Sequence, residues 1–487
     1  MKLLKDILYK VNLVSSVGDM NLEVKDICFD SRKVTEGSLF VAVKGTQVDG
    51  HKFIAQTIAQ GAAAVICEDL PENLAESVSY IQTNNSAEAL GVIASNFYGN
   101  PSSKLRLVGV TGTNGKTTVV TLLHRLFSAM GYQVGMLSTV ENKIGDAVIP
   151  STHTTPDQVS LNALIADMVE GQCQFAFMEV SSHSIDQHRI AGLEFAGAVF
   201  MNITHDHLDY HGTFENYINT KKKLFDGLPK SAFALTNADD KRGQIMLQNT
   251  KASKNAFGLK YMADYKAKIV TNSYQGLELD INGKNVWFRL VGAFNAYNLL
   301  AVYAVAELLG EDSEEVLMAL SGLQAAAGRF EVVDPASDII ALVDYAHTPD
   351  ALENVLQTIE GLRTGNEQVI TIVGCGGDRD KDKRPLMASI AVKHSDKVIF
   401  ADDNPRSEDP KQIINEMMEG VGRSYMRKAL VIQDRAEAIK TACSMAQAGD
   451  VILVAGKGHE TYQEIKGERF DFDDRKVLKE MLALFKN

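Results

Sequence analysis

The stretch Gly112-Thr113-Asn114-Gly115-Lys116-Thr117-Thr118 constrains this chain more than any other. It lies between an apolar run at 105–110 and an amphipathic segment at 119–130. A strand, a glycine turn and a helix N-terminus in that order make an anion site. Backbone N–H groups and the helix dipole surround a phosphate, the lysine neutralises it, and the Thr117 hydroxyl can hold Mg²⁺. The usual P-loop spacing would put its first glycine at Val110, whereas the glycine here is Gly109. An ordinary glycine-rich turn, however, has no use for Gly-Lys-Thr-Thr at a helix start. The stretch therefore predicts that Gly112, Thr113, Asn114, Gly115, Lys116, Thr117 and Thr118 bind ATP or a close relative.

The 487 residues exceed what one core accommodates, so three domains are expected. A formal net charge of −13 argues against a nucleic-acid partner. No apolar run approaches the ~20 residues that span a bilayer, so no membrane insertion is expected. Met1-Lys2-Leu3-Leu4-Lys5-Asp6 lacks the apolar core and cleavage site of a signal peptide. Cys28, Cys67, Cys173, Cys375 and Cys443 are scattered without a CxxC pair, which predicts reduced thiols and a cytoplasmic location. Lys221-Lys222-Lys223 is the sole run of three basic residues and, by itself, reads as a solvated helix face.

The pattern along the chain is α/β. Residues 39–43 and 62–67 read as short strands, and Asn85 or Ser86 caps a helix with apolar positions Leu90, Ile93, Ala94 and Phe97. Pro101-Ser102-Ser103 reads as a linker. Past the glycine loop, Thr155-Pro156 looks like an N-cap followed by proline at the first helical position. Residues 175–180 form an apolar strand interrupted only by Glu179, and 195–203 form another, leading into a His/Asp-rich loop at 204–211. The central unit is expected to close near Arg329, with 332–338 as a second linker. The boundaries are thus 1–102, 103–331 and 332–487.

In the last third, strands at 339–343, 369–373, 397–401 and 451–455 alternate with helices near 349–363, 410–420 and 435–447, which predicts a mostly parallel sheet. Each strand runs straight into polar or glycine-rich chemistry, at 344–347, 374–379, 402–406 and 456–460. Ligands of open α/β sheets sit at that edge.

Some side chains invite specific roles. Glu179 and His207 follow central strands on the edge of the glycine loop and are reasonable ligands for a second Mg²⁺, although His205 and His211 compete with His207. Asn295 and Asn298 open an apolar helix and, taken alone, suit caps; Gly328-Arg329-Phe330-Glu331 suits a turn. Arg379 lies in a charged loop at 378–384 that reads as solvated. Arg406 follows a proline past a strand, where its fork can meet a carboxylate. With Glu460 to accept from an ammonium, these arginines fit a zwitterionic amino acid, with surface ion pairs as the plainer alternative.

Taken together, the segments resemble the Mur ligases, ATP-dependent amide-forming enzymes of peptidoglycan precursor synthesis. The resemblance rests on Asp30-Ser31-Arg32, the Gly112–Thr118 loop, Thr154-Thr155-Pro156 and Glu179-Val180-Ser181-Ser182-His183. It extends through 207–212, 295–298, Gly328-Arg329-Phe330-Glu331 and 344–349, so it covers nearly the whole chain. His153 before Thr154 is a position where this chain departs from the pattern.

The resemblance implies an N-terminal α/β uridine-binding domain, a central P-loop ATPase domain and a C-terminal Rossmann-like domain that takes the amino acid. It implies ATP as co-substrate, two Mg²⁺ ions and UDP-N-acetylmuramoyl-L-alanyl-D-glutamate as acceptor. Ser31, Thr46 and Gln47 would meet the uridine end, and Thr154, Thr155, Ser181, Gln187 and Arg189 the rest of the UDP-sugar. Asn295, Arg329 and Asp344 would touch the nucleotide. Lys221 falls where the family carries a carbamylated lysine, which would join Thr117, Glu179 and His207 around the metals. Asp403-Asn404-Pro405-Arg406 matches the segment that recognises meso-diaminopimelate, with Arg379, Gly456 and Glu460 as partners. A monomer is expected. Adding L-lysine at the same step and folylpolyglutamate synthesis are the enzyme alternatives, and a nucleotide-binding switch the non-enzymatic one.

Overall fold

The computed structural model describes residues 1–45, 48–150, 154–204, 206–333 and 337–485. Among the described residues, three large sheets follow one another along the chain, beside two small two-stranded ones. The first orders Leu13–Val17, Ser79–Thr83, Ala64–Cys67, Leu39–Val41 and Ile27–Cys28, parallel except at its first pair. The second has eleven strands. Its parallel centre runs Val134–Leu137, Phe175–Glu179, Arg106–Thr111, Gly197–Phe200, Phe233–Asn237, Ser253–Gly258. Val134–Leu137 and Gly197–Phe200 are apolar end to end, and Phe175–Glu179 is apolar up to its last residue, because helices cover both faces and leave no solvated side to alternate toward. One face packs on Lys116–Ala129 and on Ala293–Leu308, a helix buried nearly all round; the other packs on Gln158–Glu170 and Phe214–Asp226.

The third sheet orders Glu331–Val332, Ile340–Asp344, Val451–Ala455, Val369–Val373, Lys397–Phe400 and Ala429–Val431. All its pairs are parallel save the first. The expected loops do leave the carboxyl ends of its strands.

Several local expectations need correction. The helix after Thr155 starts at Gln158, and its cap is Asp157, whose carboxylate accepts from the Val159 and Ser160 amides at 3.0 and 2.9 Å. Thr155 instead donates to the Glu179 carbonyl at 2.9 Å. Pro101–Lys104 is a 3₁₀ turn with Pro101 and Ser102 buried, not a loose linker. Val332 lies in a strand of the third sheet, in register with Leu342. The charged stretch at 378–384 runs into an unforeseen helix, Lys383–His394, in which Arg384 is wholly buried between Glu408 and Glu416. Of the three consecutive lysines, Lys221 and Lys222 are buried and Lys223 is exposed. All five cysteines are free and buried.

Candidate active site

The loop from Gly112 to Gly115 joins the middle strand Arg106–Thr111 to the helix Lys116–Ala129. Gly115 caps that helix in a left-handed conformation (φ 90°), and a Cβ there would lie 2.7 Å from Asn298 Oδ1, so only glycine fits. No side chain caps this end, leaving the first-turn amides to an anion. Asn202, which the sequence reading missed, pins the loop: its Oδ1 accepts from the Asn114 amide at 2.9 Å and its Nδ2 donates to the Asn114 carbonyl at 3.1 Å. Thr113 Oγ1 accepts from the Thr204 amide at 3.0 Å. Lys116 Nζ donates to the Gly112 and Thr113 carbonyls, both at 2.9 Å.

Glu179, at the end of the adjacent strand, is buried, and its carboxylate accepts from the Thr139 amide (2.8 Å) and hydroxyl (3.2 Å). The Thr139 hydroxyl lies 3.0 Å from that of Thr154. Arg189 donates to Gln187 Oε1 through two nitrogens at 3.0 and 2.6 Å and to the Thr155 carbonyl at 2.7 Å. Gln187 Nε2 reaches the Tyr210 hydroxyl, and Ser181 caps the short helix Ser182–Asp186. Thr154, Thr155, Gln187 and Arg189 thus share one hydrogen-bonded patch running back to Glu179. Ser31 is buried in a separate 3₁₀ turn of the N-terminal unit. Thr46, Gln47, His153 and His205 lie outside the described residues.

Lys221 projects from the helix Phe214–Asp226 to the underside of the glycine loop. Its Nζ donates to the Gly112 carbonyl at 3.1 Å and sits 4.7 Å above the Tyr217 ring. Burial, with the charge of Lys116, holds its amine well below the usual lysine range. His207 is half exposed, in a left-handed conformation, with Nε2 3.4 Å from Asp206. His211 is buried against the Ser182 hydroxyl at 2.9 Å, a structural placement. Among the described residues, no three His, Cys, Asp or Glu side chains converge as a ready metal site. The donors here are hard oxygens, the Thr117 hydroxyl and the Glu179 carboxylate, which suit Mg²⁺ only where phosphate oxygens complete its shell.

The third sheet closes over the loop. Arg329 lies over the Tyr345 ring at 4.5 Å and donates to the Thr117 hydroxyl at 3.2 Å. Burial pushes the Asp344 carboxyl up to about 6, opposed by the Arg329 charge and by the Phe330 amide, which it accepts at 2.6 Å. Asn295 is committed inside the protein, donating to the Val291 carbonyl and accepting from Asn298, so its placement is that of a turn brace.

The sequence reading also missed Asp350, at the start of the helix Pro349–Leu362. Its Oδ2 accepts from Asn114 Nδ2 at 2.8 Å and from the Thr204 hydroxyl at 2.9 Å, a direct link from the third sheet's unit to the loop. Asp350→Ala is expected to lower kcat/KM for ATP about ten- to a hundredfold, since a hydrogen bond to a charged group contributes about 1.5–3 kcal/mol. Steady-state kinetics with varied ATP check this; an unchanged value would show the link to be idle.

At the far end of the third sheet, Arg379 and Arg406 flank Gly376, where a Cβ would lie 2.8 Å from Arg406 Nη1 and 3.9 Å from Arg379 Cγ. Arg406 adopts φ 51°, costly for a non-glycine residue, and is locked by its amide to the Glu464 carbonyl (3.0 Å) and Nη1 to the Gly377 carbonyl (2.8 Å). Asn404 and Asp403 are buried, and Asn404 Nδ2 donates to Glu460 Oε2 at 2.8 Å. Pro405 turns the segment, its carbonyl accepting from Glu408. Gly456 (φ 115°) backs onto Asp403, where a Cβ would sit 2.6 Å from Oδ2. A buried Arg435–Asp474 pair supports both loops, Arg435 also donating to the Ala455 and Asp402 carbonyls at 3.0 and 3.3 Å.

Comparison with known proteins bears directly on this arrangement. Three family models match in order: Mur ligase family, catalytic domain over 23–98; Mur ligase middle domain over 110–306; and Mur ligase, glutamate ligase domain over 328–458. The chain belongs to the Mur ligase family, and it is an ATP-dependent, amide-bond-forming ligase. It is 60% identical, over 98% of its length and 99% of the relative's, to a Cytophaga hutchinsonii protein named UDP-N-acetylmuramoyl-L-alanyl-D-glutamate–2,6-diaminopimelate ligase. A Phocaeicola vulgatus protein of the same name is 55% identical over 99% of each chain. A solved structure of a ligase so named superposes with a TM-score of 0.71 at 33% identity, covering 99% of both chains. A MurF ligase from Thermotoga maritima in complex with ADP shares the fold at 21% identity, TM-score 0.62, over 95% of this chain and 97% of that one.

Proposed function

We propose that the enzyme joins meso-2,6-diaminopimelate to UDP-N-acetylmuramoyl-L-alanyl-D-glutamate, in the cytoplasm, as a step of peptidoglycan precursor synthesis. The observation that carries the reading is the paired arginine site, Arg379 and Arg406 beside Asn404 and Glu460, at the edge of a sheet whose other loops reach the glycine loop. The three units divide near residues 102 and 331, taking the UDP-sugar, ATP and the amino acid respectively. Ser31 with Thr46 and Gln47 serves the uridine, and the patch of Thr154, Thr155, Ser181, Gln187 and Arg189 serves the pyrophosphate and muramoyl part.

The γ-phosphoryl group of ATP passes to the side-chain carboxylate of D-glutamate, releasing ADP. The free amine of diaminopimelate then attacks the acyl carbon, and the tetrahedral species expels phosphate to leave the amide. Lys116 and the first-turn amides of its helix neutralise charge on the transferring phosphoryl group. Thr117 and Glu179, with His207 and carbamylated Lys221, would hold Mg²⁺ against the phosphates, and the ion would supply further charge neutralisation. Arg329 and Asp350 hold the third unit down so that amine and acyl carbon meet and water stays out.

L-Lysine lacks the carboxylate that diaminopimelate carries beside its distal amine, so a cation there repels lysine and binds diaminopimelate. Removing one partner of such a desolvated pair costs about 2–5 kcal/mol. Wild-type enzyme is expected to prefer meso-diaminopimelate strongly in kcat/KM, and Arg406→Ala or Arg406→Lys to lose most of that preference. Equal kcat/KM for the two amino acids would overturn the reading.

A further inference from the structure

We infer that Lys457 is a positioning residue for the incoming amino acid, setting which edge of Asn404 and which oxygen of Glu460 face it. The inference rests on the proposed function. The Lys457 side chain is 0% exposed and belongs to none of the sequence-predicted ligands. Its Nζ donates to Asn404 Oδ1 at 2.9 Å, to Glu460 Oε2 at 3.2 Å and to the Tyr462 carbonyl. An ammonium has three protons, so none remains for a ligand. Lys457 therefore acts through its neighbours.

What it does to them follows from donor and acceptor counts. Asn404 Oδ1 also accepts from the Glu464 amide at 2.9 Å, so both of its lone pairs are taken. A flipped amide would turn its NH₂ toward two donors, the ammonium and the Glu464 N–H. Asn404 Nδ2 is thereby forced toward Glu460 Oε2, to which it donates at 2.8 Å with one proton left over. Glu460 Oε2 accepts from both Asn404 and Lys457, and no described residue bonds Oε1. The result is one oxygen of Glu460 and one N–H of the Asn404 amide bonded to it that no described residue uses, which suits an ammonium and a carboxylate on a single carbon. Burial and the nearby Asp403 charge raise the Glu460 carboxyl, and Lys457 opposes them.

The test uses the full-length enzyme with ATP, UDP-muramoyl dipeptide and meso-diaminopimelate, comparing wild type, Lys457→Met, Glu460→Gln and the double variant. Methionine keeps the length of the side chain and removes the charge. In Lys457→Met, KM for diaminopimelate should rise at least tenfold, with KM for ATP unchanged within twofold and kcat falling less than KM rises. A purely structural lysine would instead lower kcat through the folded fraction, leaving every KM alone, and that result overturns the inference. If Lys457→Met does not fold, the double variant, which buries no unpaired carboxylate, is compared with Glu460→Gln. A further threefold or greater rise in KM for diaminopimelate supports the inference, and an unchanged KM defeats it. Wild-type enzyme inactive with diaminopimelate would refute the proposed function instead, so the two failures are distinct.

Discussion

Lys116→Ala should be a folded protein with almost no turnover. Among the described residues the side chain bonds two carbonyls of its own loop, so its removal breaks no hydrogen bond to another strand or helix. It is, however, the first residue of the helix on whose N-terminus the phosphates would rest. Deleting a preorganised donor aimed at developing charge costs on the order of 3–4 kcal/mol, roughly a hundred- to a thousandfold in kcat. Circular dichroism and thermal melting should match wild type while phosphate release falls by that factor. Near wild-type ligation by a correctly folded variant would remove the glycine loop from the mechanism.

Lys221→Ala is expected to be as severe, for a different reason. An ammonium beneath the loop would oppose a bound cation, whereas a carbamate adds an anionic oxygen donor. Its placement favours the modification. Burial and the Lys116 charge favour the neutral amine, which is the form that adds to CO₂, forming an N–C bond and releasing a proton. The variant should lose about a hundredfold or more in kcat, comparable to losing one electrostatic stabiliser. Short carboxylates such as acetate should restore part of that activity. With isotope-labelled bicarbonate, active wild-type enzyme should show a carbamate carbon resonance absent from Lys221→Ala. A bare amine in fully active enzyme would contradict this.

The glycine loop, the apolar strands and the reactive loops beyond them were legible because each is a local pattern: a turn needs glycine, a doubly covered strand is apolar throughout, and a helix start shows its cap. The misses share the opposite character. Asp350 follows a proline at a helix start and reads as first-turn charge; that it serves the glycine loop depends on how two sheets approach each other. Asn202 lies two residues past a strand with no motif around it, yet holds both the amide and the carbonyl of Asn114. Arg384 looked solvated because its neighbours are charged, whereas its partners, Glu408 and Glu416, lie beyond the next strand. Thr155 reads as a cap that Asp157 in fact supplies, because hydroxyl and carboxylate both suit that position and only the strand beside Thr155 draws its hydroxyl away. Lys457 sits within a glycine-rich segment in which the sequence reading selected Gly456 and Glu460; its burial, and hence its three bonds, is a product of the tertiary fold.

The central claim, ligation of diaminopimelate to a UDP-muramoyl dipeptide at the expense of ATP, is tested most directly by phosphate release coupled to product mass. Phosphate should appear only when ATP, UDP-N-acetylmuramoyl-L-alanyl-D-glutamate and meso-diaminopimelate are all present, in equal amount to a product of the combined mass of the last two less one water. Phosphate release that proceeds at the same rate without the dipeptide or without the amino acid, and with no amide product, would contradict the account.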